Sequence, residues 1–237
     1  ALCDSDYKII MGCINHRLAL HLPDYVDDRQ RGFMRGRLGL DNLLLLEAAA
    51  MLASRSGAAA PVLCFLDIAA AFPSLLHDFL RTVLNRFLGQ HPLNHMICSM
   101  YTNNTCDIVI RGSVLPGFRV LCGVRQGCPL SGSLFALAFH PIIVNLSDSL
   151  YRASMNVGHD IFGYADDLAL VLYDLWKLLP ALDRALTGVA AGAGLYINWK
   201  KVQLVPLGRH VDMELFRRRL SATCPRWKPA KTALTAK

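Results

Sequence analysis

Three aspartates are the residues of this sequence whose positions best suggest chemistry. Asp67 follows a short apolar run at 62–66, and the pair Asp166 and Asp167 interrupts a second apolar stretch at 161–172. A buried carboxylate without a partner is costly, so acids at the ends of buried strands need a cation nearby. No Lys or Arg lies within several positions of either site. A local ion pair is therefore not expected, and a bound metal ion is favoured.

The ligand type narrows the choice of metal. Carboxylates that converge repel one another and raise their own pKa values unless a cation lies between them. Mg²⁺ prefers such oxygen ligands and binds through one or two carboxylates together with substrate phosphates. Two such ions can activate a hydroxyl nucleophile and stabilise the leaving group of an in-line displacement. A single aspartate at a strand end is more typical of a turn or cap, so the prediction depends on the three acids together.

The hydropathy pattern predicts the elements that position these acids. We expect a buried strand at 62–66 that ends at Asp67 and a hairpin at 161–172 that turns at the acids. The other predicted elements are a helix at 38–55, a helix at 74–88, hairpin strands within 107–124, a helix from about 131 to 150 with Ser131 as N-cap and a bend at Pro141, and a helix at 174–191 ended by Gly192 and Gly194. Helices gathered on one side of an antiparallel sheet make an α+β domain.

Basic residues cluster in two zones. The net charge is +7, from 25 basic and 18 acidic residues. Ten Lys or Arg and two acids lie from Trp199 onward, and the second zone consists of Arg29, Arg31, Arg35 and Arg37. Two basic zones around a near-neutral body are typical of a protein that binds a polyanion. Charge alone is equally compatible with an ordinary solvated surface.

Composition indicates an intracellular protein without a membrane partner. The eight cysteines form no Cys-x-x-Cys pair and are scattered through apolar segments, which is typical of buried, reduced thiols. The most apolar stretch, 38–53, contains Asp41, Asn42 and Glu47 and is too short and polar to span a bilayer. The first residues also lack the charged-then-apolar layout of a secretory signal.

Six segments resemble, in order, conserved blocks of the reverse transcriptases of non-LTR (LINE-type) retrotransposons. "SDYKIIMGCINHRLALHLPDYV" is similar to the segment after the first block of that family, and "QRGFMRGRLGLDNLLLLEA" to its fingers block. The four palm motifs are matched by "FLDIAAAFPSL", "GVRQGCPLSGSLFALAF", "FGYADDLALVL" and "GLYINWKK". A lone Tyr-x-Asp-Asp match occurs by chance in on the order of 3% of chains this long. Six ordered matches along nearly the whole chain make coincidence negligible.

The resemblance implies a right-hand polymerase palm, an antiparallel sheet with helices packed on one face, plus partial fingers and no thumb. It implies one partial domain over 1–237, with a fingers-like part at 1–60 and a palm core at 61–205 that includes fingers elements at about 85–118. A basic tail at 206–237 would lead toward a primer grip. The Arg-Pro block that precedes these motifs in the family is missing, so we expect a chain truncated at both ends, from a longer retroelement polyprotein.

The catalytic roles follow from the resemblance residue by residue. Asp67 and Asp166 would bridge two Mg²⁺ ions, for which Mn²⁺ can substitute, and the backbone carbonyl of Ile68 would add a ligand. Asp167 would be the accessory acid of the pair. Lys201 matches a lysine that donates a proton to the leaving pyrophosphate. Without the family, Lys201 would be an ordinary surface lysine.

The resemblance also implies substrate contacts. Phe72 matches a bulky residue that excludes a ribose 2′-hydroxyl, which implies deoxynucleotides, although on its own it would be interpreted as a core residue. Tyr164 would pack beside the primer end. Arg37 would contact the template, and a solvated arginine is the equal alternative. Contacts with the incoming nucleotide are implied for Arg125, Gln126 and Gly127.

The function that the resemblance implies is template-directed DNA synthesis on RNA by two-metal-ion nucleotidyl transfer. Its partners would be an RNA template, a DNA primer and deoxynucleoside triphosphates, and its location the nucleus. His140 and Val202 depart from the family pattern, where an acidic or amide residue and a Ser are common. A catalytically inactive remnant that only binds nucleic acid is the main alternative. An RNA-templated RNA polymerase or a nuclease is a further one, and a pure scaffold is least favoured.

Overall fold

The computed structural model describes residues 4–208 and 211–233. Its helices are α1 (Ser5–Tyr25), α2 (Gly39–Arg55), α3 (Ala71–Ser74), α4 (His77–Leu88), α5 (Pro92–Met100), α6 (Ser131–Ala153), α7 (Leu175–Ala193) and α8 (Met213–Thr223), followed by a 3-10 turn at Pro225–Trp227. Its strands are β1 (Val62–Leu66), β2 (Thr105–Ile110), β3 (Ser113–Arg119), β4 (His159–Tyr164), β5 (Asp167–Leu172), β6 (Gln203–Pro206) and β7 (Lys231–Thr232). The predicted α+β fold class is confirmed.

The central sheet has the strand order β4-β5-β1-β6-β7. The pairs β4–β5, β5–β1 and β1–β6 are antiparallel, as predicted, and the two-residue strand β7 adds a parallel edge to β6. Leu66 at the end of β1 lies opposite Leu168 at the start of β5. The end of β1 and the turn between β4 and β5 therefore lie at the same edge of the sheet.

Helices cover the two faces of the sheet unequally. Most of them pack on one face, where buried side chains of β1 and β5 join those of α1, α4, α6 and α7 in one large core. The exception is α2: its Ala49 and Ala53 pack against Leu63 and Val171. Successive strand residues point to opposite faces, so α2 lies on the face opposite α6.

Helix α6 is the core helix of the domain. It is long and apolar enough to cross a membrane by length and composition, but 61% of its most apolar 18-residue window is buried inside the protein. Its aromatic residues Phe135 and Phe139 are almost completely buried. We therefore attribute its apolar character to core packing.

Several local predictions differ from the structure. The helix expected at 74–88 is interrupted at Leu75, whose extended backbone separates α3 from α4. Ser131, expected as the N-cap of α6, is its first helical residue, and its Oγ donates a hydrogen bond to the carbonyl of Arg125 at 2.6 Å. Gly192 lies inside α7, which ends only at Gly194. Three of the cysteines expected to be buried are exposed: Cys13, Cys106 and Cys122.

The hairpin β2–β3 forms a separate two-stranded sheet. All of its strand residues are exposed, including the facing pair Val109 and Val114, which are 67% and 65% exposed. Its turn places Arg111 and Gly112 at positive φ. The ribbon thus has apolar side chains without a packing partner among the described residues.

Candidate active site

The turn between β4 and β5 and the first residue of β5 carry two of the three predicted catalytic acids. Tyr164 pairs with Asp167 across the hairpin, so Ala165 and Asp166 form the turn. Ala165 has a φ of +56°, a left-handed conformation that is uncommon for residues other than glycine. Asp166 is half-buried and Asp167 is exposed. The predicted hairpin is confirmed, and its turn presents both acids at the edge of the sheet.

The third acid lies beside this turn. Leu66 lies opposite Leu168 in an antiparallel pair, so Asp67, which follows Leu66, and Asp167, which precedes Leu168, lie at neighbouring positions. The pKa of Asp167 is raised, first by partial burial and then by the charges of Asp166 and Asp67, and Lys201 opposes the shift. The structure thus brings the three predicted acids and Lys201 into one electrostatic cluster.

Lys201 is the cation of this cluster. Its Nζ lies 3.2 Å from Oδ1 of Asp67, and its side chain is 64% exposed. The backbone of the same segment is tied to β1, because the N–H of Asn198 donates to the carbonyl of Asp67 at 2.8 Å. An ion pair was not expected near Asp67, since no basic residue is close in sequence. The partner comes from 134 positions away.

The donor set at this edge suits a hard divalent cation, because it consists of carboxylate oxygens. Within 4–208 and 211–233, no group of three His, Cys, Asp or Glu side chains is close enough to hold a metal ion. Mg²⁺ commonly binds through only one or two carboxylates and takes its other ligands from water and substrate phosphates. Ile68, the predicted carbonyl ligand, follows Asp67 directly and forms an isolated bridge with Ile197. These residues fit a divalent ion that takes its other ligands from water and a bound substrate.

A groove of about 610 Å³ opens beside the acids, between α2 and the sheet. Asp67, Asp167, Lys201 and Tyr164 line it. The Tyr164 side chain is 49% exposed, and its ring lies so close to Gly39 that a β-carbon there would be 3.0 Å from the ring. The predicted primer contact Tyr164 is thus beside the acids and accessible.

Phe72 lies in α3, five residues after Asp67, and is half-buried. Its ring stacks on Phe135 with centroids 4.6 Å apart and meets Phe33 edge-on at 5.8 Å. Two aromatic neighbours hold the ring in place, and part of its surface stays exposed. This arrangement suits a steric wall and also a core residue at the margin, so the predicted role stays a prediction.

The predicted nucleotide contacts lie in the loop before α6, along a second pocket of about 580 Å³. Arg125 and Gln126 line this pocket and are absent from the lining of the groove at Asp67. The Arg125 guanidinium donates to the carbonyl of Met100 at 3.0 Å and lies 5.2 Å from the ring centroid of Tyr7. Gly127 has a φ of +79°, a backbone conformation that favours glycine, and a β-carbon there would have no atom within 4 Å.

Arg37 has a different environment from the one predicted for a template contact. Its side chain is only 10% exposed, and its Nη2 lies 3.0 Å from Oδ1 of Asp28. The two terminal nitrogens also donate four hydrogen bonds of 2.7 to 2.8 Å to the carbonyls of Pro23, Val26, Asp27 and Gln30. These contacts stabilise the segment after α1. A template contact stays a prediction.

His140 is one of the two departures from the family pattern, and its ring takes part in a hydrogen bond with the segment after α1. Its Nδ1 accepts a hydrogen bond from the backbone N–H of Asp27 at 3.0 Å. Burial lowers the pKa of His140, which keeps the ring neutral and able to accept. An acidic or amide side chain could accept the same bond, so the change in residue type preserves the interaction.

Two polar residues at the acid-bearing hairpin had no predicted role. Gln30 pairs with both backbone groups of Ala165, and Asn42 Nδ2 donates to the carbonyl of Gly163 at 2.9 Å. Both lie within the matched segment "QRGFMRGRLGLDNLLLLEA". An amide side chain in a block of mainly basic and apolar residues was the available signal, but nothing local indicated its partner.

Sequence comparison relates the chain to known proteins. A model of the family described as reverse transcriptase (RNA-dependent DNA polymerase) matches residues 1–218. The transposon TX1 uncharacterized 149 kDa protein of Xenopus laevis is 31% identical over 204 residues, which is 85% of this chain and 15% of that protein. The retrovirus-related Pol polyprotein from type-1 retrotransposable element R2 of Bradysia coprophila is 30% identical over 171 residues, 70% of this chain and 19% of that protein.

Solved structures support the fold. Apo telomerase from Candida tropicalis, truncated from its C-terminal domain, superposes with a TM-score of 0.63 at 13% identity over 87% of this chain and 42% of that one. Telomerase from Candida albicans gives a TM-score of 0.53 at 12% identity over 81% and 34%. The chain spans less than a quarter of the length of the curated relatives named above. The match over residues 1–218 decides the assignment: this chain belongs to the reverse transcriptase family.

Proposed function

We propose that this chain carries the active site for DNA synthesis on an RNA template, by nucleotidyl transfer that uses two Mg²⁺ ions. The observation that carries the proposal is the meeting of Asp67 with Asp166 and Asp167 at one edge of the sheet, from strands about a hundred positions apart in sequence. The family assignment supports it. Burial and the charges of Asp166 and Asp67 raise the pKa of Asp167, and such a cluster of acids has a clear use when a divalent ion and a nucleotide bind together.

Each residue of the cluster then has a task. Asp67 and Asp166 would hold the ions with the carbonyl of Ile68, and Asp167 would add negative charge beside them. When bound, the ions would activate the primer hydroxyl and stabilise the leaving pyrophosphate. Tyr164, at the mouth of the groove, would support the primer end. Arg125, Gln126 and Gly127 would contact the incoming nucleotide once the second pocket and the groove are bridged by substrate.

Lys201 is proposed as the proton donor to pyrophosphate. Its ammonium already lies at the acids, and its exposed stem lets it exchange Asp67 for a phosphate oxygen. We expect Lys201→Ala to lower the single-turnover rate of incorporation by about 100-fold, the range of a lost general acid. The matched control is Lys200→Ala, because Lys200 is the exposed neighbour. Equal rates for the two variants would remove Lys201 from the chemistry.

Phe72 is proposed as the residue that selects deoxynucleotides, since a ribose 2′-hydroxyl would meet its ring. We expect Phe72→Ala to reduce the preference for dNTP over rNTP, measured as a ratio of kcat/KM, by about 10-fold or more. Phe79→Ala is the control, because Phe79 is another half-buried phenylalanine packed against the core, on α4. Unchanged selectivity in Phe72→Ala would return this residue to a packing role.

The partners would be an RNA template and a DNA primer, held mainly through their backbones. The related telomerase from Candida tropicalis was solved in a complex with a fragment of telomeric RNA. In this chain, helix α8 presents three consecutive arginines, Arg217 to Arg219, and so offers positive charge for such contacts. The retroelement relatives are much longer, so we propose that the chain works within a polyprotein. A nuclear location would give it access to chromosomal primers.

Primer extension on an RNA template with Mg²⁺ and deoxynucleotides tests the proposal. The chain is compared with a version extended at both ends as in the retroelement relatives. Incorporation by either version supports the polymerase. Folded protein that binds primer–template but incorporates nothing in either version would favour the inactive remnant. A preference for ribonucleotides would favour an RNA polymerase instead.

A further inference from the structure

The turn that carries Asp166 is held from outside its hairpin by Gln30. The Gln30 side chain is completely buried. Its Nε2 donates to the carbonyl of Ala165 at 2.9 Å, and its Oε1 accepts from the N–H of Ala165 at 2.9 Å. One amide therefore satisfies both backbone groups of the residue that precedes Asp166. A neighbouring strand would normally form these two hydrogen bonds with its backbone, and here one side-chain amide forms both.

The backbone on either side of Gln30 strengthens the contact. The N–H of Arg31 donates to the carbonyl of Gly163 at 2.9 Å, and the N–H of Gly163 donates to the carbonyl of Arg29 at 2.8 Å. These bonds make a short parallel bridge to β4. At Gly32, a β-carbon would lie 2.1 Å from the nitrogen of Ala165, so only glycine permits this approach. The whole segment 29–32 is thus fitted to the turn.

The conformation of Ala165 explains why the turn needs a contact from outside the hairpin to hold it. A φ of +56° is unfavourable for alanine, and a free turn would relax toward the ordinary right-handed or extended regions. Such a change would rotate the peptide plane that leads into Asp166 and move its carboxylate. The Gln30 amide fits only the backbone orientation seen here, because both Ala165 groups must point at it together.

Gln30 is itself fixed by the protein. Its Oε1 also accepts from the N–H of Gly32 at 2.9 Å, which sets the orientation of the amide. Its carbonyl is one of the four that accept from Arg37. The side-chain amide therefore cannot turn away from Ala165 without also losing its bond to Gly32, and the bond to Arg37 holds the backbone that carries it. Preorganisation of this kind is what a metal-binding carboxylate needs from its surroundings.

We propose that Gln30 is a positioning residue that holds the Ala165 turn so that Asp166 points at the metal and the primer end. This inference rests on the proposed function, because it gives the position of Asp166 its purpose. The part that concerns the turn alone, that Gln30 fixes its backbone, can be measured without any catalysis.

Amide hydrogen exchange is the first readout. Gln30→Met keeps the size of the side chain and removes its hydrogen bonds, and we expect backbone amides at 163–167 to exchange at least about 10-fold faster than in the wild type. The matched control is Asn94→Leu, because Asn94 is a buried amide that donates to Asn85 and Gly89 far along the chain from this turn. This control should leave exchange at 163–167 unchanged. An equal rate in Gln30→Met and the wild type would overturn the proposal.

Kinetics supply the second readout, in the version of the chain that extends primers. We expect Gln30→Met to lower kcat by about 10-fold or more and to raise the Mg²⁺ concentration for half-maximal rate, while the KM for deoxynucleotide changes little. A purely structural defect would instead lower the active fraction and leave the Mg²⁺ dependence of the remainder unchanged. That second pattern would also overturn the proposal.

A milder variant covers the case in which Gln30→Met does not fold. Gln30→Asn keeps a neutral amide but is shorter by one methylene, so it cannot reach both backbone groups of Ala165 as Gln30 does, and a smaller acceleration of exchange is expected. In the wild type, the Ala165 amide must be protected from exchange. If it exchanges freely, the proposed role of Gln30 is refuted without the need for a variant. If the wild type is inactive but exchange at 163–167 depends on Gln30, the result rejects the proposed function and leaves the positioning role of Gln30 in place. If the wild type is active and replacement of Gln30 changes neither exchange at 163–167 nor the kinetics, the result rejects only the positioning role of Gln30.

Discussion

DNA synthesis should be lost when Asp166 is replaced by Asn, while the fold is retained. Asn keeps the size of the side chain but removes the negative charge that would bind the metal, and its amide oxygen is a weaker ligand. Loss of one of two shared metal ligands should lower the rate by at least about a thousand-fold, or roughly 4 kcal/mol of transition-state stabilisation. Single-turnover primer extension on RNA with Mg²⁺ measures this loss.

The control for Asp166→Asn is Asp160→Asn. Asp160 lies on β4 of the same hairpin and is half-buried, and burial raises the pKa of its carboxyl. It therefore tests the general effect of removing an acid from this hairpin. Both variants should keep the circular dichroism spectrum and cooperative unfolding of the wild type. Synthesis that persists in Asp166→Asn would refute the metal assignment.

The largest expected loss of stability comes from Arg37→Met. The guanidinium donates hydrogen bonds to four carbonyls and forms an ion pair with Asp28, and the side chain is only 10% exposed. Charge-assisted hydrogen bonds of this kind are strong, and the variant leaves several poorly hydrated carbonyls without a donor. We expect the free energy of unfolding to fall by about 3 to 5 kcal/mol. Urea unfolding at constant pH measures it.

Two companion variants separate charge from geometry. Arg35→Met removes the same charge at an exposed neighbouring position and should change stability by less than about 0.5 kcal/mol. Arg37→Lys keeps the charge but lacks the planar fork that reaches several carbonyls, so an intermediate loss is expected. If Arg37→Met unfolds like the wild type and instead binds primer–template more weakly, Arg37 has the template role that its family position implies.

The parts of the site that the sequence predicts are those set by local patterns. Apolar runs with β-branched and aromatic residues predict β1 and the β4–β5 hairpin, and the acids that end these runs predict the edge where they meet. Asp67 and Asp167 become neighbours because the strands must align their buried residues. The register that aligns the buried residues of β1 and β5 therefore also determines that the two acids lie side by side.

The parts that the sequence does not predict depend on partners far along the chain. Lys201 meets Asp67 and Gln30 meets Ala165 across more than 130 positions, and no spacing rule connects residues so distant. Arg37 has the residue type of a nucleic-acid contact, and only its surroundings give it a structural role. The position of α2 on the second face of the sheet was likewise invisible, because its small buried residues Ala49 and Ala53 form no clear stripe.

Helix ends were also beyond local patterns. Ser131 has the residue type of an N-cap, but its hydroxyl is engaged by the Arg125 carbonyl, and Leu130 occupies the capping position instead. Leu75 interrupts a helical pattern that its neighbours would allow, because the backbone at 75–77 forms hydrogen bonds with Gly123, Ala193 and Leu121. The proposed division into fingers, palm and basic tail stays a prediction.

The exposed ribbon β2–β3 has a consequence for anyone who handles the protein. A two-stranded ribbon is only marginally stable by itself, and its outer edges offer free backbone groups to any strand that approaches. Val109 and Val114 face each other on its surface, and Phe118 adds a ring that is 61% exposed. In concentrated solution, precipitation should therefore begin at this ribbon. Poor solubility during purification would then reflect association through the exposed strands β2 and β3 and would carry no information about catalytic competence.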